Sequence, residues 1–237
     1  MNEMAEAYRK LLEECYASKD RYSESYLCAF SMGVGRKYSG KLLVIGRATN
    51  GWVNGFSKQD IDDCKRALEA LIPEIGKDSL DWVTKQWGAS KGYNTRKSQF
   101  WRVSRMLAKC IADNSDDCFA HIGWTNLYKI APDGGNPSNR LMGVQFERCV
   151  DVLRLEIELS KVQNVIFLTG YGWAKPFLDR LGISNQLQPA GYNFVEFASS
   201  TRGTNYLVGQ HPQGKPERPH CEEILRALAS LSSRTVV

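Results

Sequence analysis

Apolar residues recur every three or four positions along several stretches of the chain, which is the spacing of amphipathic helices. These stretches are residues 3–18, the segment between Ser57 and Pro73, and residues 98–112, 143–160, 173–181 and 217–231. In the stretch 143–160, Phe146, Val150, Leu153 and Ile157 form one apolar face, and charged residues lie between them. The pattern therefore predicts a chain rich in helices.

Two other stretches, 41–46 and 165–170, each contain four consecutive apolar residues and end in glycine. Runs of this kind are typical of strands buried on both faces of a parallel sheet. Further short strands are predicted at 119–127, 194–197 and 206–208. Because these strands alternate with helices, the predicted fold is an α/β three-layer αβα sandwich with a central, mostly parallel sheet of four or five strands.

We expect one domain over residues 1–237, with an N-terminal helical segment over 1–28 and an insertion over about 74–97. The insertion mixes Trp82, Trp87 and Tyr93 with lysines and arginines. Such a segment can stack on bases and contact phosphates. The alternative is a solvated insertion whose two tryptophans pack against the body of the protein.

Composition narrows the class of protein. With 43% hydrophobic and 24% charged residues, the chain is unlike disordered, collagen-like or coiled-coil proteins. No run approaches the roughly 20 apolar residues of a membrane helix, and the acidic first thirty residues do not resemble a secretory signal. The net charge of +5 permits nucleic-acid binding without requiring it.

The seven cysteines form no CxxC pair, so we expect reduced thiols in a cytoplasmic protein, with no metal and no cofactor. We also expect a monomer with no membrane partner.

Ligands of doubly wound α/β folds bind beyond the carboxyl ends of the strands. The first such segment here is 46–52, where Gly46 begins a polar loop that can bring backbone amides close to an anion or a base. A plain strand-to-loop turn with Trp52 packed on the core is the alternative. The turn at 170–173 is expected to be structural.

Two further strand ends carry candidate chemistry. Asn126 lies at the end of the predicted strand 119–127, and a buried amide there is either locked in a network or directed at a ligand, unless it forms an Asx turn. His211 lies between a strand and a Pro-Gly loop, where a neutral imidazole can donate to a carbonyl that gains charge, although a structural role is equally open. His121 and His220 are expected to be ordinary.

Taken together, the order of these segments over about residues 41–215 resembles the uracil-DNA glycosylase superfamily. The matching segments are Gly46 and Ala48, Phe100-Trp101 with Leu107, Thr125-Asn126-Leu127-Tyr128-Lys129 followed by Pro132, Asn139 and Arg140, then Cys149, the strand 165–170, and His211-Pro212. The resemblance implies hydrolysis of the N-glycosidic bond of uracil or a related deaminated base in single- or double-stranded DNA.

The resemblance also implies roles for individual residues. His211 and Asn50 would be catalytic, the first as a donor to the base and the second by placing water. The substrate would contact Gly46, Ala48, Trp52, Phe56 and Asn126. The DNA backbone would contact Arg47, Lys129 and Lys215.

Departures from the family pattern leave alternatives open. Thr49 replaces a proline common in the first motif, no carboxylate occurs between Gly46 and Asp60, and Gln213 stands where the last motif usually has serine. A non-catalytic module that binds nucleic acid or a nucleotide on the same fold is therefore one alternative. An unrelated α/β enzyme acting on a small metabolite is another.

Overall fold

The computed structural model describes residues 3–48, 55–57, 80–183 and 191–233. The strands are β1 Tyr26–Ala29, β2 Gly33–Val34, β3 Leu43–Ala48, β4 Gly55–Ser57, β5 Gly123–Tyr128, β6 Ile130–Pro132, β7 Asn164–Leu168, β8 Val195–Thr201 and β9 Thr204–Gly209. The α-helices are α1 Glu3–Ala17, α2 Asp81–Lys85, α3 Gln99–Ile111, α4 Asn139–Ser160, α5 Tyr171–Arg180 and α6 Glu217–Ser232. Short 3₁₀ turns lie at Lys19–Arg21, Thr95–Lys97 and Cys118–His121.

The main sheet has the strand order β2-β5-β3-β7-β9-β8. The pairs β3–β7 and β7–β9 are parallel, and the edge pairs β2–β5 and β8–β9 are antiparallel. This confirms the predicted α/β sandwich with a mostly parallel sheet. The sheet has six strands rather than four or five, because the two-residue strand β2 is too short to leave a pattern in the sequence.

The chain folds as two compact units whose sequences interleave. The first unit comprises residues 1–32, 46–77 and 125–160, and the second comprises 33–45, 78–124 and 161–237. The boundaries fall inside β3 and β5, since β3 spans residues 43–48 and β5 spans 123–128.

In the first unit, helix α1 packs along helix α4. Their apolar faces bury Leu11 and Leu153 completely. A small antiparallel sheet, β4-β1-β6, pairs Leu27 with Phe56 on one side and Cys28 with Ala131 on the other. The burial of apolar side chains away from water makes the main contribution to the stability of such a core.

In the second unit, residues 165–168 of β7 are fully buried, as expected for a strand covered on both faces. Helix α6 packs on β8 and β9, and helix α3 packs on α6. The strand registers place Phe167 beside Val208 and Leu168 beside Gly209. The carboxyl ends of β7 and β9 therefore reach the same edge of the sheet.

The structure corrects two boundaries predicted from sequence. Helix α1 ends at Ala17, and Tyr26–Ala29 forms a strand, so the N-terminal segment 1–28 is not helical throughout. The predicted strand 119–127 begins only at Gly123, because Cys118–His121 forms a 3₁₀ turn. Phe119 is buried in that turn, so its apolar character indicated burial but not strand conformation.

Within the described ranges, no helix is both long enough and apolar enough to span a bilayer. The helix predicted between Ser57 and Pro73 lies outside the described residues.

Candidate functional site

Asn126 is the most informative polar residue of the first unit. Its side chain lies in β5 and is 2% exposed. Its amide nitrogen Nδ2 is buried, and none of the described residues accepts a hydrogen bond from it. Buried polar groups are almost always hydrogen-bonded, so a buried donor without a partner among the described residues is a candidate ligand contact.

The main chain of Asn126 is held by a buried lysine. The ammonium of Lys129 lies 2.6 Å from the carbonyl oxygen of Asn126, 2.6 Å from Thr125 Oγ1 and 2.6 Å from Glu156 Oε2. The side chains of Lys129 and Glu156 are both fully buried. A buried ion pair of this kind needs several further hydrogen bonds, and this one has them.

The carboxylate of Glu156 is the centre of this network. Thr125 Oγ1 donates to Oε2 at 2.8 Å, and the hydroxyl of Tyr8 donates to Oε1 at 3.0 Å. Burial, together with the negative charge of Glu156, raises the pKa of Tyr8 well above its ordinary value, so Tyr8 stays a donor. The network thus joins helices α1 and α4 to the strand that carries Asn126.

A second clamp holds the chain just after Lys129. The side-chain amide of Gln145 accepts from Ile130 N at 3.0 Å and donates to Ile130 O at 2.7 Å. Cys149 Sγ donates to Gln145 Oε1 at 3.2 Å, and burial raises the pKa of this thiol to about 12. Cys149 is therefore a packed thiol and not a nucleophile at neutral pH.

Strand β3, which carries several predicted site residues, lies beside the strand that carries Asn126. Strands β3 and β5 are neighbours in the sheet, and the amide of Gly123 donates to the carbonyl of Leu42 at 2.9 Å. The two strands therefore start side by side and run in the same direction. Gly46 is buried near the end of β3, and Arg47 and Ala48 are half-buried. Asn50 and Trp52 lie outside the described residues.

Phe56 is also in the first unit, on strand β4, where it is 2% exposed. It pairs with Leu27 in the small sheet.

The prediction that Lys129 contacts the DNA backbone is wrong. A fully buried ammonium that pairs with Glu156 cannot reach a phosphate without unfolding the strand end. Its role is to neutralise Glu156 and to fix the main chain of Asn126.

His211 and Lys215 belong to the second unit, in the loop that follows β9. The backbone amide of Gln213 donates to His211 Nδ1 at 3.3 Å, which places the proton of the neutral ring on Nε2. Both side chains are half-buried. The donor role of His211 toward a ligand stays a prediction.

Gln99, the first residue of α3, fixes the loop 211–215. Its Oε1 accepts from Gly214 N at 2.6 Å, and its Nε2 donates to the carbonyl of Lys215 at 3.1 Å. Glu217, two residues after Lys215, accepts a hydrogen bond from Arg102 at 2.6 Å. Arg102 belongs to α3, as Gln99 does.

His220 is a buried histidine in the second unit. It is fully buried, and neither ring nitrogen has a hydrogen-bond partner among the described residues. Burial lowers its pKa to about 4, so the ring is neutral at physiological pH. A Cβ on Gly209 would lie 2.9 Å from His220 Nε2, so the absence of a side chain at Gly209 makes room for the ring.

The tryptophans of the predicted insertion pack into an aromatic cluster of the second unit. Ring centroids are 5.4 Å apart for Trp82 and Trp101, and 4.8 Å apart for Trp101 and Trp124. Trp87 lies 6.2 Å from Phe119. The alternative in which both tryptophans pack on the body therefore describes them better than an exposed stacking loop. Residues 74–79 of the insertion lie outside the described residues.

Sequence reasoning missed Tyr8, Gln99, Gln145 and Glu156. A signal existed for Glu156 alone, because this acidic residue lies three positions after Leu153 and one before Ile157, on the apolar face of α4. A comparison with protein-family models gave no match, and a comparison with curated proteins gave none either.

Proposed function

We propose that this protein is a divergent member of the uracil-DNA glycosylase superfamily, which reads uracil or a related deaminated base through Asn126 and hydrolyses its N-glycosidic bond in DNA. The observation that carries the proposal is the buried amide nitrogen of Asn126, for which the described residues supply no hydrogen-bond acceptor. An unsatisfied buried donor costs roughly 1–3 kcal/mol, a penalty that a bound carbonyl would remove.

The chemistry of an amide suits the edge of uracil. Uracil presents a carbonyl acceptor beside an N–H donor, and one asparagine side chain can donate to the first and accept from the second. Cytosine presents the opposite order of donor and acceptor. A bidentate contact of this kind discriminates between bases by about 1–3 kcal/mol.

Hydrolysis breaks the bond between C1′ and the base nitrogen, and the electron pair of that bond stays on the base. Water forms the new bond to C1′ and loses a proton. A donor aimed at the base oxygen stabilises the developing anion, by about 2.7–4 kcal/mol for one such group. His211, with its proton on Nε2, is the residue assigned to this role by the order of the motifs, and substitution tests it.

A second candidate is a binding module that recognises the same base without cutting. The sequence favours it in one respect, since no carboxylate lies between Gly46 and Asp60 to act as a base toward water. Asn50, the nearest polar candidate, is a much weaker base than a carboxylate. A slow enzyme and a pure binder are therefore distinguished by turnover alone.

The test is release of uracil from single- and double-stranded oligonucleotides, followed by alkaline cleavage of the abasic sites. Wild-type protein is compared with Asn126→Ala and His211→Ala, and matched oligonucleotides with cytosine or thymine are the substrate controls. Cleavage that requires both residues supports the glycosylase. Binding of uracil-containing DNA that requires Asn126 but gives no cleavage supports the binding module. If neither occurs, the proposal is wrong.

A further inference from the structure

The segment between Asp81 and Asp113 has an unusual distribution of charge. It contains seven lysines and arginines and no aspartate or glutamate. These cations are Lys85, Lys91, Arg96, Lys97, Arg102, Arg105 and Lys109. All belong to the second unit.

Four of the seven have acidic partners from outside the segment. Asp81 lies 3.9 Å from Lys85, and Glu217 lies 2.6 Å from Arg102. Asp116 pairs with both Arg105 and Lys109, at 2.8 and 3.0 Å. These cations are therefore largely compensated.

The other three cations, Lys91, Arg96 and Lys97, are exposed. None of them forms an ion pair with a carboxylate in the described part of the chain. Together with Tyr93 they form what we call the 91–97 surface. The side chain of Tyr93 is 54% exposed, which is high for a large aromatic residue.

The backbone beneath the 91–97 surface is fixed by side chains. Asn94 Oδ1 accepts from the amides of Gly88 and Arg96, both at 3.0 Å, and Asn94 Nδ2 donates to Ala89 O at 2.8 Å. Thr95 is fully buried and donates to Val83 O at 2.8 Å. The cations therefore project from a preorganised loop, which reduces the entropy lost on binding.

The ring of Tyr93 is supported from one side. Its centroid lies 6.3 Å from that of Trp82. Uncompensated cations beside an exposed aromatic ring match a single nucleic-acid strand, because the phosphates meet the cations and the bases stack on the ring. An anionic membrane or an acidic peptide would use the cations but would have no base to stack.

We propose that the 91–97 surface binds single-stranded DNA, with Arg96 and Lys97 on the phosphates and Tyr93 stacked on a base. The choice of DNA as the polyanion rests on the proposed function. The 3₁₀ turn Thr95–Lys97 is followed by Ser98 and then by Gln99, the first residue of α3. Gln99 hydrogen-bonds to Gly214 and Lys215, so the loop that contains Lys215 is joined to the start of this helix. The 91–97 surface and the loop that carries His211 are therefore both attached at the start of α3.

The experiment measures fluorescence anisotropy of a labelled oligothymidine 12-mer between 25 and 200 mM salt. The variants are Arg96→Gln with Lys97→Gln, and Tyr93→Leu. The matched control is Lys161→Gln with Arg202→Gln, which removes two exposed cations that lie just before the amino ends of β7 and β9. Thermal unfolding of each variant checks that the fold is retained.

We expect the double variant at Arg96 and Lys97 to reduce the slope of log affinity against log salt by about 1.4, which is the effect of two phosphate contacts on a single strand. Tyr93→Leu should weaken binding by at least about fivefold without changing this slope, because stacking is not ionic. The control should change neither quantity by a comparable amount.

Because the oligonucleotide contains no uracil, this result does not depend on base excision. DNA binding that requires Arg96, Lys97 and Tyr93 would support the role of the 91–97 surface. If the separate assay on uracil-containing oligonucleotides then gave no uracil release, the proposed glycosylase would be overturned and the surface would not. Absence of binding, or a control that weakens it equally, would overturn the surface. Binding to vesicles of phosphatidylserine and phosphatidylcholine that requires Arg96 and Lys97, without binding to the oligonucleotide, would overturn it as well.

Discussion

The ammonium of Lys129 lies 2.6 Å from the main-chain carbonyl oxygen of Asn126, and both side chains are buried. The same ammonium lies 2.6 Å from the carboxylate of Glu156. One cation therefore neutralises a buried anion and fixes the backbone from which the candidate base-reading amide projects. The stability of the first unit and the geometry of Asn126 depend on the same contact.

Replacing Lys129 by methionine should lower the free energy of unfolding by about 3–5 kcal/mol, because it leaves the charge of Glu156 buried and unpaired. Denaturation in urea measures the change. Adding Glu156→Gln should recover part of the loss, since glutamine still accepts from Tyr8 and carries no charge. Lys175→Met is the matched control: it breaks an exposed pair with Asp179 and should cost less than about 1 kcal/mol. Equal costs for the two lysines would contradict the assignment.

Replacing Asn126 by leucine, a residue of similar size, should raise the free energy of unfolding by about 1 kcal/mol. The reason is that Asn126 Nδ2 is buried without a partner in the described structure, and an apolar group removes the desolvation penalty of that donor. Functional residues commonly cost stability in this way. Urea denaturation of the two proteins at neutral pH tests it. A loss of more than about 1 kcal/mol would mean that Asn126 is bonded within the fold, and it would weaken the proposed role in base reading.

His220 should make the protein less stable in acid. Its pKa is about 6.5 in the unfolded chain, and burial lowers it to about 4 in the folded protein. As the pH falls below 6.5 the unfolded state takes up a proton that the folded state does not, so stability is lost down to about pH 4, by about 3 kcal/mol in total.

The measurement for His220 is urea denaturation at several pH values between 7 and 4, in wild type and in His220→Leu. The difference in unfolding free energy between the two should change by about 3 kcal/mol over this range, because carboxylates elsewhere contribute equally to both. Parallel curves would show that the pKa of His220 is the same in the folded and the unfolded protein, so that burial does not lower it.

Gln99 should control the order of the loop that carries His211. Gln99→Ala removes both hydrogen bonds to the loop, whereas Gln99→Glu keeps an acceptor for Gly214 N and loses only the donor to Lys215. We expect amide hydrogen exchange at Gly214 to be about tenfold faster in the alanine variant, the effect of losing a bond of about 1.4 kcal/mol. Protection should survive in the glutamate variant. Unchanged exchange in both would show that Gln99 does not hold the loop.

The periodicity of the sequence predicted the regular framework well. Helix α6 begins at Glu217 as expected and ends one residue later than expected, and strand β7 coincides with most of the apolar run 165–170. Such elements are visible because their pattern is local. Strands β1, β4 and β6 were not predicted, because each is short and is stabilised by pairing with residues far away along the chain.

In the candidate site, too, the features that depend on local sequence could be predicted, and those that depend on residues far away along the chain could not. The placement of Asn126 in a strand was predicted, because the apolar run around it is a local feature. The burial of Lys129 was not, because it depends on Glu156, which lies 27 positions away, and on a hydroxyl from helix α1. A lysine just after a strand is usually exposed to solvent, because lysine is rarely buried unless it is paired. Only the folded structure brings Glu156 beside Lys129 and so allows this lysine to be buried.

The bond between Tyr8 and Glu156 joins residues 148 positions apart. During synthesis, helix α1 leaves the ribosome long before helix α4 does, and contacts of such sequence separation form late and slowly. The support for Asn126 therefore cannot be completed until more than half of the chain has been made. A nascent chain stalled before Glu156 would present Lys129 without its anion, and the main chain of Asn126 would lack the contact that fixes it in the folded protein.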